Sequence, residues 1–185
     1  AVVLEQLAII ARPGAASRRG EVASAADALQ RYRPVAFIEE PGTLDGGDVL
    51  RIGSRIYVGD SGRTNAEGIR QLSDFTAACG YTVIPAKLTG CLHLKSAVTL
   101  VADGVILINP SWIDSSLFTG LHQIEIDPAE PFAANALLIG EHVIYSASYP
   151  ATRKRLEQRG INVHAIDADE LEKAEGGVTC CSILV

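Results

Sequence analysis

Methionine is missing from all 185 residues, tryptophan occurs once, and aromatic side chains make up only 5% of the sequence. The first position is no exception: Ala1-Val2-Val3-Leu4 runs straight into what reads as a strand, so a preceding segment is expected. No uninterrupted apolar stretch approaches the roughly 20 residues that a membrane-spanning helix needs, and no signal-peptide pattern opens the chain, so no membrane partner is expected. Basic residues do not cluster either. The runs Arg18-Arg19 and Arg153-Lys154-Arg155 are too short to neutralise a phosphate track, and the net charge of −6 argues against a nucleic-acid partner. The four cysteines, Cys79, Cys91, Cys180 and Cys181, form no Cys-x-x-Cys pair and no framework spacing. A reducing, cytoplasmic setting is therefore expected, with thiols rather than disulfides.

What is present fits one globular domain over residues 1–185: 48% hydrophobic and 21% charged residues are enough to build a sizeable core. Four segments share a pattern of apolar alternation around a turn: 2–11, 49–58 (turning at Gly53-Ser54), 98–109 (at Ala102-Asp103-Gly104) and 136–146 (at Gly140-Glu141). Each reads as a β-hairpin. A helical stripe follows the first, with Val22, Ala25, Ala26 and Leu29 at i, i+3, i+4 and i+7. After the second, Thr64-Asn65-Ala66-Glu67 reads as a capping box opening a helix that runs through Ile69, Leu72, Phe75 and Cys79 to Gly80. After the fourth, residues 150–158 give another helix. The third offers only 111–118.

Short strands close the units at 35–38, 82–85, 123–126 and 163–166. The repeat is hairpin, helix, strand, with turns about 48, 50 and 37 residues apart. An array or closed ring of such units is expected, about four ββαβ repeats in an α/β fold. The apolar residues after Cys181 read as a returning C-terminal strand.

Three places carry chemistry-bearing residues. Gly176-Gly177 precedes Cys180-Cys181, and a bend there is able to present a thiol at the start of a strand. Successive strand residues face opposite ways, so only one of the two cysteines faces a given site. Asp45-Gly46-Gly47-Asp48 places two carboxylates around a glycine pair just before the second hairpin. His93 stands in the matching place before the third. Taken singly, a buried thiol, an Asp-rich turn and a structural histidine explain them as well. Together, Cys, His and Asp are what an activated thiolate needs, because an imidazolium favours the thiolate and a carboxylate orients the imidazole.

The stretches Ala11-Arg12-Pro13-Gly14-Ala15-Ala16-Ser17-Arg18-Arg19, Thr43-Leu44-Asp45-Gly46-Gly47-Asp48-Val49-Leu50, Gly62-Arg63-Thr64-Asn65, Leu92-His93-Leu94-Lys95-Ser96 and Thr179-Cys180-Cys181-Ser182 resemble, in the same order, the dimethylarginine dimethylaminohydrolases. These are guanidino-modifying enzymes of the pentein fold, a propeller of five ββαβ units. The resemblance covers essentially the whole chain and implies that the first unit, with its acidic substrate-binding residues, is absent here.

It further implies Cys180 as nucleophile, His93 as general acid and base, and Asp45 as the carboxylate steering His93. Arg18 and Arg63 would bind substrate, and Ala174 would bind it through its backbone. The reaction implied is hydrolysis of an Nω-methylated arginine to citrulline and a methylamine, in the setting of arginine metabolism and nitric oxide regulation, with no cofactor and no resident metal.

Arginine deiminases share this chemistry, but their pattern has Asp two residues after the histidine, where this sequence has Lys95. A lysine repels the cationic guanidinium, which favours the methylarginine hydrolase. A rival of another class is a non-catalytic zinc-binding fragment using Cys180, Cys181 and His93. Adjacent cysteines suit a tetrahedral site poorly, and zinc is more readily an inhibitor bound at the nucleophile.

Overall fold

The computed structural model describes residues 1–173, 176–180 and 182–185. The chain groups into two compact units, residues 1–87 with 183–185, and residues 88–182.

The first unit holds two repeats. In the first, β1 (Val2–Val3) pairs antiparallel with β2 (Ala8–Ile10), α1 (Glu21–Leu29) follows, and β3 (Val35–Phe37) returns parallel to β2. In the second, β4 (Val49–Ile52) and β5 (Arg55–Asp60) form the hairpin, α2 (Ala66–Ala77) crosses over, and β6 (Thr82–Lys87) lies parallel to β5.

The two-residue period of β2 decides the packing, because its alternate side chains face opposite ways. Ala8 and Ile10 face α1 residues Ala26 and Leu29. Ile9, on the other side, joins Leu44, Val49, Ile56, Val58, Ile69 and Leu72 from the second repeat. A strand buried on both faces therefore belongs to two cores at once.

The second unit repeats the plan. A short helix α3 (Leu94–Ala97) leads into β7 (Val98–Ala102), which pairs antiparallel with β8 (Val105–Ile108), and β9 (His122–Glu125) returns parallel to β8. The last sheet is β10 (Ala136–Ile139), β11 (His142–Ser146) and β12 (Asn162–Ile166), with α4 (Pro150–Gln158) between β11 and β12. A short helix α5 (Asp169–Lys173) follows. Leu107, Ile124, Ala136, Val143, Tyr145 and Leu156 share one core, so the two repeats of this unit pack as those of the first do.

Three expectations are corrected. The stretch 111–118 forms only a single 3₁₀ turn at Ser115–Phe118, opened by Asp114, whose carboxylate accepts from the Ser116 N–H at 2.9 Å. Residues 109–121 join β8 to β9, and their backbone bonds (Trp112 N–H to Asn109, Leu117 N–H to Asp114, Leu121 N–H to Phe118) close separate turns rather than a helical ladder. Helix α2 begins one residue later than the capping-box reading, because the Thr64 hydroxyl is spent on Asp48 and the side chain of Asn65 accepts from Gly68 N–H instead, at 2.8 Å. Residues 182–185 form no strand. The Cys180 and Ser182 amides donate to Gly177 and Thr179 carbonyls, a turn that takes donors a ladder would need. No helix among the described residues is long and apolar enough to cross a membrane.

Candidate active site

Asp45 and His93 occupy matching places in successive repeats. Each takes extended backbone angles (φ −106°, ψ 137° and φ −137°, ψ 155°) immediately before a single helical turn that leads into the first hairpin strand. That turn is Gly46–Asp48 in one case and α3 in the other.

In the first unit Asp45 is 4% exposed and held from three sides. Its Oδ1 accepts from the Gly14 N–H at 3.0 Å, its Oδ2 faces Arg18 Nη1 at 3.4 Å, and its own N–H donates to Thr64 Oγ1 at 3.0 Å. Gly14 has to be glycine here, since a Cβ would collide with the carbonyl of Arg63. Arg18 also forms a two-pronged pair with Glu21 (2.9 and 3.0 Å), and this hydrogen bonding holds the Glu21 carboxyl below the usual carboxylate range. Asp48, the other carboxylate of the glycine-pair turn, is fully buried. It accepts from Ser61 Oγ and Thr64 Oγ1, both at 2.7 Å. Its visible work is to brace the turn.

In the second unit a cleft of about 820 Å³ is lined by His93, Cys180, Cys91, Asn135, Phe132 and Tyr149 among others. The volume matches what a small-molecule ligand occupies. Cys180 is an exposed free thiol in the turn after Gly177. His93 is half-buried, and its carbonyl accepts from the Cys91 thiol at 3.5 Å. Exposed Phe132, stacked edge-on against Trp112 with ring centres 5.1 Å apart, gives the cleft an apolar wall.

The structure thus brings His93 and Cys180 to one cleft, and Asp45 into contact with Arg18. Arg63 is placed by its backbone, with its N–H on Ser61 Oγ at 3.0 Å, next to Gly14. Ala174 lies outside the described residues, as does Cys181, which the zinc reading needs. Among the described residues no group of three or more His, Cys, Asp or Glu side chains is gathered to hold a metal ion.

One cleft residue escaped sequence reasoning. Asn135 immediately precedes β10 as Asp48 precedes β4, and aligning the repeats on their hairpins is the signal that would have found it.

No family model matches the chain. The dimethylarginine dimethylaminohydrolase of Streptomyces coelicolor is 43% identical over 184 residues, covering 98% of this chain and 70% of that protein. That of Pseudomonas aeruginosa is 38% identical over 178 residues, covering 95% and 70%. This chain belongs to the dimethylarginine dimethylaminohydrolase family. A solved structure of the P. aeruginosa family member, a cysteine-to-serine variant in complex with citrulline, is similar with a TM-score of 0.92 and 36% identity. The match covers 97% of this chain and 71% of that one. The family's α/β pentein fold accounts for the four three-stranded units found here, and its cysteine-dependent amidine hydrolysis fits a cleft lined by Cys180 and His93.

Proposed function

We propose that the protein hydrolyses Nω,Nω-dimethylarginine to citrulline and dimethylamine through a covalent intermediate on Cys180. The observation that carries the reading is the sharing of one cleft by Cys180 and His93, in a chain of this family.

The Cys180 thiolate attacks the guanidinium carbon and forms a C–S bond. As the bond from that carbon to the dimethylated nitrogen breaks, His93 donates a proton and dimethylamine leaves, giving a thiouronium. His93 then takes a proton from water, the hydroxide adds to the same carbon, and the C–S bond breaks to return the thiolate and release citrulline. The sum is one water consumed and one amine released, with no change of oxidation state.

Asp45 carries over as the carboxylate of the site, and Arg18 and Arg63 as partners for the substrate's carboxylate. Glu21 and Asp45 orient the Arg18 guanidinium, whose five N–H donors are more than these two carboxylates take up. Lys95 in place of an acidic residue favours a methylated over an unmodified guanidinium.

Incubating the protein with dimethylarginine or arginine and measuring citrulline, dimethylamine and ammonia tests the reading. Citrulline and dimethylamine in equal amounts are expected. Faster ammonia release from arginine would overturn it in favour of a deiminase.

A further inference from the structure

Asn135 stands on backbone that is fixed on both sides. The Tyr145 hydroxyl donates to the Ala133 carbonyl at 2.7 Å, and the Thr99 hydroxyl donates to the Ala134 carbonyl at 2.6 Å while accepting from the Ala136 N–H at 3.2 Å. Tyr145, Thr99 and all three alanines are buried. Moving this segment would break three buried hydrogen bonds, each costly to leave unmade.

From that fixed point the amide reaches the two segments, around residues 90–96 and 176–180, whose neighbouring residues line the cleft. Its Nδ2 donates to the Lys95 carbonyl at 3.0 Å and to Thr179 Oγ1 at 2.8 Å, and its Oδ1 accepts from the Thr179 N–H at 3.3 Å. The Lys95 carbonyl only accepts and the Thr179 N–H only donates, so the amide orientation is dictated by its partners. Lys95 lies in α3, two residues after His93, and Thr179 is bonded directly to Cys180. Gly177 completes the contact: a Cβ there would stand 2.6 Å from Asn135 Oδ1.

We infer that Asn135 is a positioning residue of the site, tying the turn that carries Cys180 to the helix whose start carries His93. The inference rests on reading Cys180 and His93 as the reacting pair. Aspartate at this position loses both donors and sets an acceptor against the Lys95 carbonyl. Alanine releases the Thr179 amide altogether. A displacement of about 1 Å at reacting atoms costs on the order of 100-fold in rate.

The test compares wild type with Asn135→Ala and with the milder Thr179→Val, which removes only the hydroxyl partner. Steady-state citrulline release is measured beside labelling of Cys180 by a haloacetamidine, which needs an ordered cleft, and by iodoacetamide, which does not. Hydrogen exchange over residues 176–180 reports the turn itself. In Asn135→Ala, kcat and haloacetamidine labelling fall about 10- to 100-fold while KM changes less than about threefold. Iodoacetamide labelling stays within about twofold of wild type, and exchange rises at 176–180 but not in β7 and β8. Thr179→Val moves the same readouts by less, and decides the matter if Asn135→Ala does not fold. Gly177→Ala lowers haloacetamidine labelling in wild type and less so in the Asn135→Ala background.

Unchanged kcat and labelling overturn the inference. So does a raised KM at constant kcat, which would make Asn135 a substrate contact, and so does loss of exchange protection throughout both variants. A wild type that forms no citrulline, yet is labelled by the amidine at Cys180 only when His93 is present, ends the hydrolase reading; the labelling arm still decides the role of Asn135.

Discussion

Thr64 Oγ1 donates to Asp48 Oδ2 at 2.7 Å, both residues fully buried, and the same oxygen accepts the Asp45 N–H at 3.0 Å. One hydroxyl therefore bridges the two carboxylate residues of the glycine-pair turn. Thr64→Val keeps the shape but strands the Asp45 amide and takes one donor from Asp48. A loss of about 1–3 kcal/mol in urea unfolding is expected, with Thr64→Ser retaining most of the stability.

The reacting pair separates chemistry from stability. Cys180 is exposed in a turn, so Cys180→Ser changes unfolding free energy by no more than about 0.5 kcal/mol while citrulline formation disappears. His93→Gln lowers the rate by about 10² to 10⁴, the usual worth of a general acid and base. Thermal unfolding and a citrulline assay on the same preparations check both.

Asn65 closes the start of α2 and does more than cap it. Its Oδ1 accepts from the Gly68 and Thr43 amides (2.8 and 3.0 Å), and its Nδ2 donates to the Pro41 carbonyl at 2.9 Å. Asn65→Ala is expected to cost about 1–2 kcal/mol in denaturant unfolding, at the upper end for a helix cap. Asn65→Asp, which keeps the two acceptor bonds, is expected to cost less.

On α2 the carboxyl of Glu67 is drawn down to about 2 by hydrogen bonds from Arg70, then from Gln71. A carboxyl whose folded-state value is depressed stabilises the fold at pH above its unfolded value near 4.5, and this contribution is lost as the pH falls through about 2. The pair is exposed and screened by salt, so its titration is a better readout than unfolding. Side-chain NMR is expected to place the Glu67 midpoint near 2 in wild type and to raise it in Arg70→Ala toward, but not to, 4.5, because the Gln71 hydrogen bond remains.

Much of this protein is encoded locally. Strand alternation, the helical stripe of Val22, Ala25, Ala26 and Leu29, and the hairpin turns are periodicities of neighbouring residues, and backbone geometry turns them into elements without distant help. That is why the hairpins and closing strands of all four units, the crossover helices of three of them, and the placing of Asp45 and His93 ahead of their hairpins were readable from the chain.

What tertiary structure decided depends on partners far apart in sequence. The Thr64 hydroxyl serves Asp48, 16 residues away, rather than the helix it precedes. Residues 182–185 form no strand, and ahead of them the Cys180 and Ser182 amides turn back on Gly177 and Thr179. Asn135 is meaningful only through Lys95 and Thr179, 40 and 44 residues distant. Side-chain hydrogen bonds of that reach leave no periodic trace, since a polar residue's choice among partners is made by whichever groups folding brings within about 3 Å of it.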